Sequence, residues 1–263
     1  MNSALKGIFE RALFFLLIFL SCYTCRSQSH PDTVSYLKSY LTNTGSIIKE
    51  PFHWDIHDVE KVTLTVGVTG FLMIYDEHSD DFFARNQNEQ LTNFSKYVIA
   101  PFGNGVYSLP LIGALYLGGV IGKNNYDKEM ALLGLKTFVI AAGEATVVKW
   151  LFQRHRPEDD TPPNSWVWEG PTGDLKDDGA FVSRHATTAF ALAAVFAEGY
   201  KSKKKWVPIV AYSLASLVTI SRVYERKHWA SDAFAGACLG YFSGKFIYKI
   251  NQRHRPDLLP SAP

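Results

Sequence analysis

Ser221-Arg222-Val223-Tyr224-Glu225-Arg226-Lys227-His228-Trp229-Ala230-Ser231-Asp232 is a polar corner between two apolar runs. Trp206 to Ile220 precedes it, and the small residues Ala233-Phe234-Ala235-Gly236-Ala237 follow Asp232. Charged groups packed between two apolar helices are costly unless they serve a purpose. If a helix begins at residue 228, His228 and Asp232 stand at i and i+4 on one face, close enough for the carboxylate to hold one imidazole nitrogen. The other nitrogen is then a nucleophile or base in a fixed tautomer.

Two clusters upstream have the same character. Lys149-Trp150-Leu151-Phe152-Gln153-Arg154-His155-Arg156-Pro157 sets Lys149 and Arg156 seven apart, two turns along one face of a helix that Pro157 ends or turns. Two cations aimed the same way repel unless an anion lies between them, so the pair fits a phosphate; a solvated basic helix end is the other reading. Phe181-Val182-Ser183-Arg184-His185 comes directly before the small-residue run Ala186 to Val195. Ser183 is a natural N-cap, and the free amides of a helix start beside His185 make a ready anion site.

Taken in order, the three clusters read Lys, six residues, Arg-Pro; Ser, one residue, His; and Ser-Arg, five residues, His, three residues, Asp. This order resembles the three-part signature of the type 2 phosphatidic acid phosphatase and vanadium haloperoxidase superfamily, in a bacterial, cell-envelope form. Lys149, Arg156, Pro157, Ser221, Arg222, His228 and Asp232 match its first and third parts. The middle part usually reads Pro-Ser-Gly-His; Ser183 and His185 keep it, while Val182 and Arg184 depart. The resemblance covers about residues 100 to 250.

The resemblance implies a chemistry and a site. His228 would attack phosphorus to give a phosphohistidine, Asp232 would orient and charge it, and His185 would protonate the leaving oxygen. Lys149, Arg156, Arg222, Ser183 and the amide of Arg184 would bind the phosphoryl oxygens, with no metal and no cofactor. Phosphoryl transfer spreads charge over three equatorial oxygens, which suits this density of donors. The Arg184 side chain either reads a second anionic group of the substrate, as in a diphosphate, or points to solvent. The implied activity is a phosphatase acting on a phosphomonoester or diphosphate, of lipid or small-molecule type. A soluble broad-specificity acid phosphatase and a vanadate-dependent haloperoxidase are the alternatives.

The chain has 263 residues, 47% of them apolar, and a net charge of +2, which offers no nucleic-acid footprint. Helical runs at 60–75, 107–122, 128–152, 185–201, 206–220 and 231–249 predict an all-α bundle of five or six core helices with the three clusters at one end. Residues 60–250 would form this domain, preceded by an N-terminal extension at 28–59 and followed by a polar tail at 251–263. Trp166 and Trp168, in the loop 157–182, are candidates for contact with an apolar substrate or for ordinary loop packing. Asp76-Glu77-His78-Ser79-Asp80-Asp81 reads as a solvated acidic turn. His53 and His57 have ligand spacing but no evident third ligand.

Lys6 and Arg11 precede the apolar run Ala12 to Leu20, a signal-peptide pattern over residues 1–27. If Cys22 and Cys25 are removed with it, Cys238 alone remains and forms no intrachain disulfide. Several runs are about 15 residues, short of the ~20 of a membrane span, and mean hydropathy is −0.05. Against this, Lys201-Ser202-Lys203-Lys204-Lys205 is a basic turn opposite the site, as expected of a cytoplasmic loop. The expectation is an exported protein at the membrane, its catalytic face on the periplasmic side.

Overall fold

The computed structural model describes residues 33–171 and 179–254, so the signal-like segment, the centre of the 157–182 loop and the end of the tail lie outside the described residues. The chain divides into two compact units, residues 1–39 and 40–263. Of the first, only the opening of helix α1 (Thr33–Lys49) is described. The second continues through α2 (Ile56–Asn86), α3 (Glu89–Phe94), a π-helical turn (Ser95–Ile99) and α4 (Ala100–Gly103). It is completed by α5 (Ser108–Ile121), α6 (Asn125–Phe152), α7 (Arg184–Tyr200), α8 (Trp206–Tyr224) and α9 (Ala230–His254). No strand occurs among the described residues, and the all-α bundle is the fold observed.

Local chemistry sets the helix ends. Asp55 caps α2 by accepting from the Asp58 amide at 3.0 Å, and Asn124 caps α6 through the amides of Tyr126 and Asp127. Helix α6 stops because Gln153 turns left-handed, at φ 43° and ψ 51°. Lys149 and Arg156 therefore do not share a helical face, as their spacing had suggested. Arg154 to Pro157 lie beyond the helix, where Arg154 makes an isolated antiparallel bridge with Trp168.

The acidic run is also not a solvated turn. Helix α2 continues through it to Asn86, and Asp76 and Asp80 are buried on one face of that helix. Partners supplied from far along the chain explain this. Asp76 meets Arg154 at 2.8 Å, and Asp80 takes a two-pronged contact from Arg226 at 2.8 and 2.7 Å.

Helix α7 is the axis of the bundle. Met130, Ile140, Val195 and Ile247 pack α6, α7 and α9 together, while Ile99, Ala189, Ala215 and Val218 pack the π turn and α8 on another side. Close approach of α9 to α7 depends on Gly236 and Gly240, where an added Cβ would run into the backbone of Ser183 and Thr187. This contact brings the start of α9 against the start of α7.

The outer surface is apolar where α6 and α8 face outward, with Val139, Val147, Ile209, Leu217 and Ile220 all exposed. Asn125–Phe152 and Trp206–Tyr224 are long and apolar enough to cross a membrane, at mean hydropathies of 1.6 and 1.4. Residues 89–103 and 108–121, bent by 51°, would make a third span if they act as one. The turn after α7 lies at the far end from Ser183, with Lys201 bound to Glu198 at 2.6 Å.

Candidate active site

The site forms where the ends of α6 and α8 meet the starts of α7 and α9. The short segment before α7 stitches these ends together. Ala180 donates to the Arg154 carbonyl at 2.6 Å, and Ser183 donates its amide to the Asp232 carbonyl at 3.1 Å. Lys149, buried at the last turn of α6, donates its ammonium to the Gly179 carbonyl. Ser183 caps α7, its hydroxyl facing the Ala186 amide at 3.5 Å, as the sequence led us to expect.

His228 is 5% exposed and lies before α9 rather than in it. Its Nδ1 is 2.8 Å from the Ala180 carbonyl. A carbonyl only accepts, so Nδ1 carries the proton and Nε2 the lone pair. The expected carboxylate–imidazole contact with Asp232 is thus replaced by a backbone one. Asp232 turns to the Trp229 amide at 3.0 Å and to Arg154 at 2.6 Å, capping the start of α9. The difference arises because the helix starts two residues later than the i, i+4 reading requires.

Around the two site histidines the charge is positive. Burial, with Lys149, Arg222, His185 and Arg156 in that order, holds His228 well below the usual imidazole range. Burial also lowers His185 to about 3, helped by Arg222, Arg184, Lys149 and Arg156. These shifts report that the cations named from three separate sequence clusters converge on one place. Arg222 bonds Glu225 at 2.9 Å, yet its Nε is buried without a hydrogen-bond partner, an unmet donor that an oxyanion would satisfy. Arg184 reaches Thr146 at 3.4 Å, on the α6 side of the site.

Several residues that hold this arrangement escaped the sequence reading. Glu225 positions Arg222 and is itself held by Ser95 of the π turn at 2.7 Å. Gly103 lies against His185: an added Cβ would come within 2.8 Å of His185 Cβ and of Val218. Trp168 packs edge-on against Phe152 and Phe181 and covers the Arg154 guanidinium at 4.9 Å, so it belongs to the wall. Trp166, at 61% exposed, stays outside it. His53 and His57 bond locally, to the Lys49 carbonyl and to Glu60.

Residues 130–256, which take in all eight candidate site residues, match the PAP2 superfamily. The chain carries a PAP2 domain. The Lipid A 1-phosphatase of Porphyromonas gingivalis is 31% identical over 145 residues, a match covering 54% of this chain but only 29% of that protein. Likeness of fold extends wider than the PAP2 domain alone. The crystal structure of the first transmembrane PAP2 type phosphatidylglycerolphosphate phosphatase from Bacillus subtilis aligns with 84% of this chain and 96% of its own, at a TM-score of 0.53 and 23% identity.

Proposed function

We propose that this chain is a membrane-bound phosphatase that removes a phosphoryl group from a lipid phosphate or diphosphate through a phosphohistidine on His228, without a metal. The fixed tautomer of His228 carries this reading: its Nδ1 is spent on Ala180, leaving an uncharged Nε2 among cations. In the first step Nε2 attacks phosphorus, the bond to the leaving oxygen breaks, and His185 gives that oxygen a proton. In the second, His185 takes a proton from water, the water oxygen attacks phosphorus, and the P–N bond breaks to release inorganic phosphate.

Lys149, Arg156 and Arg222, with the Ser183 hydroxyl and the Arg184 amide, neutralise the charge that grows on the equatorial oxygens. Burial first, and then the positive charge of Arg222, Arg184, Lys149 and Arg156, keeps His185 neutral before substrate binds. A phosphoryl dianion offsets that charge, so His185 gains its proton as substrate binds, which arms the acid only when it is needed.

The apolar outer faces of α6 and α8 support a lipid substrate and a bundle that crosses the bilayer, as does the name of the Porphyromonas gingivalis relative. The Lys201–Lys205 turn would face the cytoplasm and the site the periplasm. Phosphate release by the detergent-purified protein in EDTA tests the proposal, across lipid A, phosphatidylglycerolphosphate, phosphatidate, isoprenyl diphosphates and a soluble monoester. Release from one or more lipids that vanishes in His228→Ala is expected. Activity that survives His228→Ala overturns the phosphohistidine, loss on chelation overturns metal independence, and turnover of the soluble monoester alone overturns the lipid. Halide oxidation on adding vanadate and peroxide, without phosphate release, would make the chain a haloperoxidase.

A further inference from the structure

One densely bonded charged group beside the site is not used by the proposed reaction. Arg154 is 1% exposed, and Asp76, Asp232 and Ser231 beside it are 0% exposed. Its Nε donates to the Ser165 carbonyl at 2.9 Å, Nη1 to Ser231 at 2.8 Å and to Asp232 at 2.6 Å, and Nη2 to Asp76 at 2.8 Å. The rings of Trp168 and Trp229 lie 4.9 and 5.5 Å from the guanidinium carbon. With about four of its five N–H groups taken and aromatic rings beside it, Arg154 has little left for a phosphate.

We infer that Arg154 is a positioning residue that acts on His228 through Asp232, keeping that carboxylate ionised against the opposing charge of Asp76. This inference rests on the phosphatase reading above. Asp232 reaches the site by two routes. One carboxylate oxygen holds the amide of Trp229, the residue after His228, and its backbone carbonyl holds the Ser183 amide at the start of α7. An ionised Asp232 is a full anion at the start of α9, where the helix dipole favours it; a protonated one grips the Trp229 amide less firmly.

The groups facing Asp232 come from every element packed there. Asp76 comes from α2, Arg154 from the segment after α6, the Ser183 backbone from the start of α7, and Ser231 and the Trp229 amide from its own corner. Ser231 links Asp76 to Arg154: its amide and hydroxyl reach Asp76 at 3.0 and 2.5 Å, while Arg154 donates to its hydroxyl. Burial raises Asp232 to about 6, Arg154 pulls it down and Asp76 pushes it up. On top of burial, the guanidinium and the second dry carboxylate therefore pull the titration of Asp232 in opposite directions.

The opposed charges give a test that a merely structural role would fail. Arg154→Gln should raise the pH at which Asp232 titrates, and Asp76→Asn should lower it, each by about one unit, with Arg154→Lys in between. The titration is read from the infrared band of the protonated carboxyl that Asp232→Asn removes, which needs no turnover. The acid limb of kcat/KM for phosphate release should follow it, with kcat reduced in Arg154→Gln and KM within about twofold, since Arg154 touches no substrate. A band that moves the same way in both variants, or in neither, overturns the inference even in an active enzyme. So does an acid limb that ignores the band. If Arg154→Gln does not fold, the near-isosteric Asp76→Asn decides alone by the direction of its shift. Opposed band shifts in the two variants, together with a wild-type protein that releases no phosphate, would leave the charge network standing and sink the phosphatase reading.

Discussion

His155 and His228 have similar neighbours in sequence and opposite ones in space. Arg154 and Arg156 flank the first, and Arg226 and Lys227 precede the second. His155 stands between carboxylates, Nδ1 3.0 Å from Asp160 and Nε2 3.0 Å from Glu169, and its side chain is 27% exposed. The hydrogen bond to Glu169 raises its pKa, whereas burial and the surrounding cations lower that of His228. One ring sits in a loop where carboxylates favour its proton, and the other, the proposed nucleophile, sits where burial and cations disfavour it. Neighbouring basic residues along the chain did not decide which is which. Arg154 and Arg226 are absorbed by Asp76 and Asp80 of α2, and the cations left around His228 are Lys149, Arg222 and Arg156.

The sharpest way to break the comparison is to exchange the fates of the two rings. His228→Ala should lower phosphate release by about 10³-fold or more, while His155→Gln stays within about twofold of wild type. Comparable losses in the two, measured as kcat on the same lipid, would mean that the nucleophile has been misplaced. Lys149→Ala comes next, with a kcat loss of roughly 10² to 10³-fold, the cost of one preorganised oxyanion partner. A change confined to KM would show that Lys149 binds the ground state only.

Gly103→Ala probes the packing behind His185. The new methyl must displace His185 or Val218, and Thr188, bonded to the Gly103 carbonyl at 2.5 Å, resists a shift of α4. A loss of about 1–3 kcal/mol in stability, with a fall in kcat, is expected from thermal melting and turnover together. A variant as stable as wild type would show that this contact is slack.

Much of this was legible because it is written in local pattern. The apolar runs forecast α5 to α9 to within a few residues, and Ser183 announced a cap by its place before a small-residue run. All eight proposed site residues came from three short motifs. What failed depended on the tertiary fold. An acid run after an apolar run looks like a turn until Arg154 and Arg226 arrive from 78 and 146 residues away to pair with Asp76 and Asp80. Lys149 and Arg156 look cofacial until Gln153 ends the helix with a left-handed residue, for which its sequence carries no glycine signal. The only available hint was the spacing of Asp76 and Asp80, two acids on one helical face directly after apolar residues.

The smallest expected effect separates the two histidines by sign. His155 has a raised pKa in the folded chain, so its contribution to stability is fully present below its unfolded value of about 6.5 and is lost as pH rises through the folded one. His228 has a lowered pKa; the unfolded chain takes up a proton that the folded one refuses, so its contribution is present above about 6.5 and is lost as pH falls. Thermal melts across pH 5 to 9 should therefore show His155→Gln losing most at the acid end, by no more than about 1 kcal/mol because the pair is partly exposed, and less in high salt. His228→Asn, which has no ring to protonate, should instead gain on wild type as the solution is acidified. If the two difference curves slope the same way, then the two rings share one electrostatic environment, and the contrast between them is wrong.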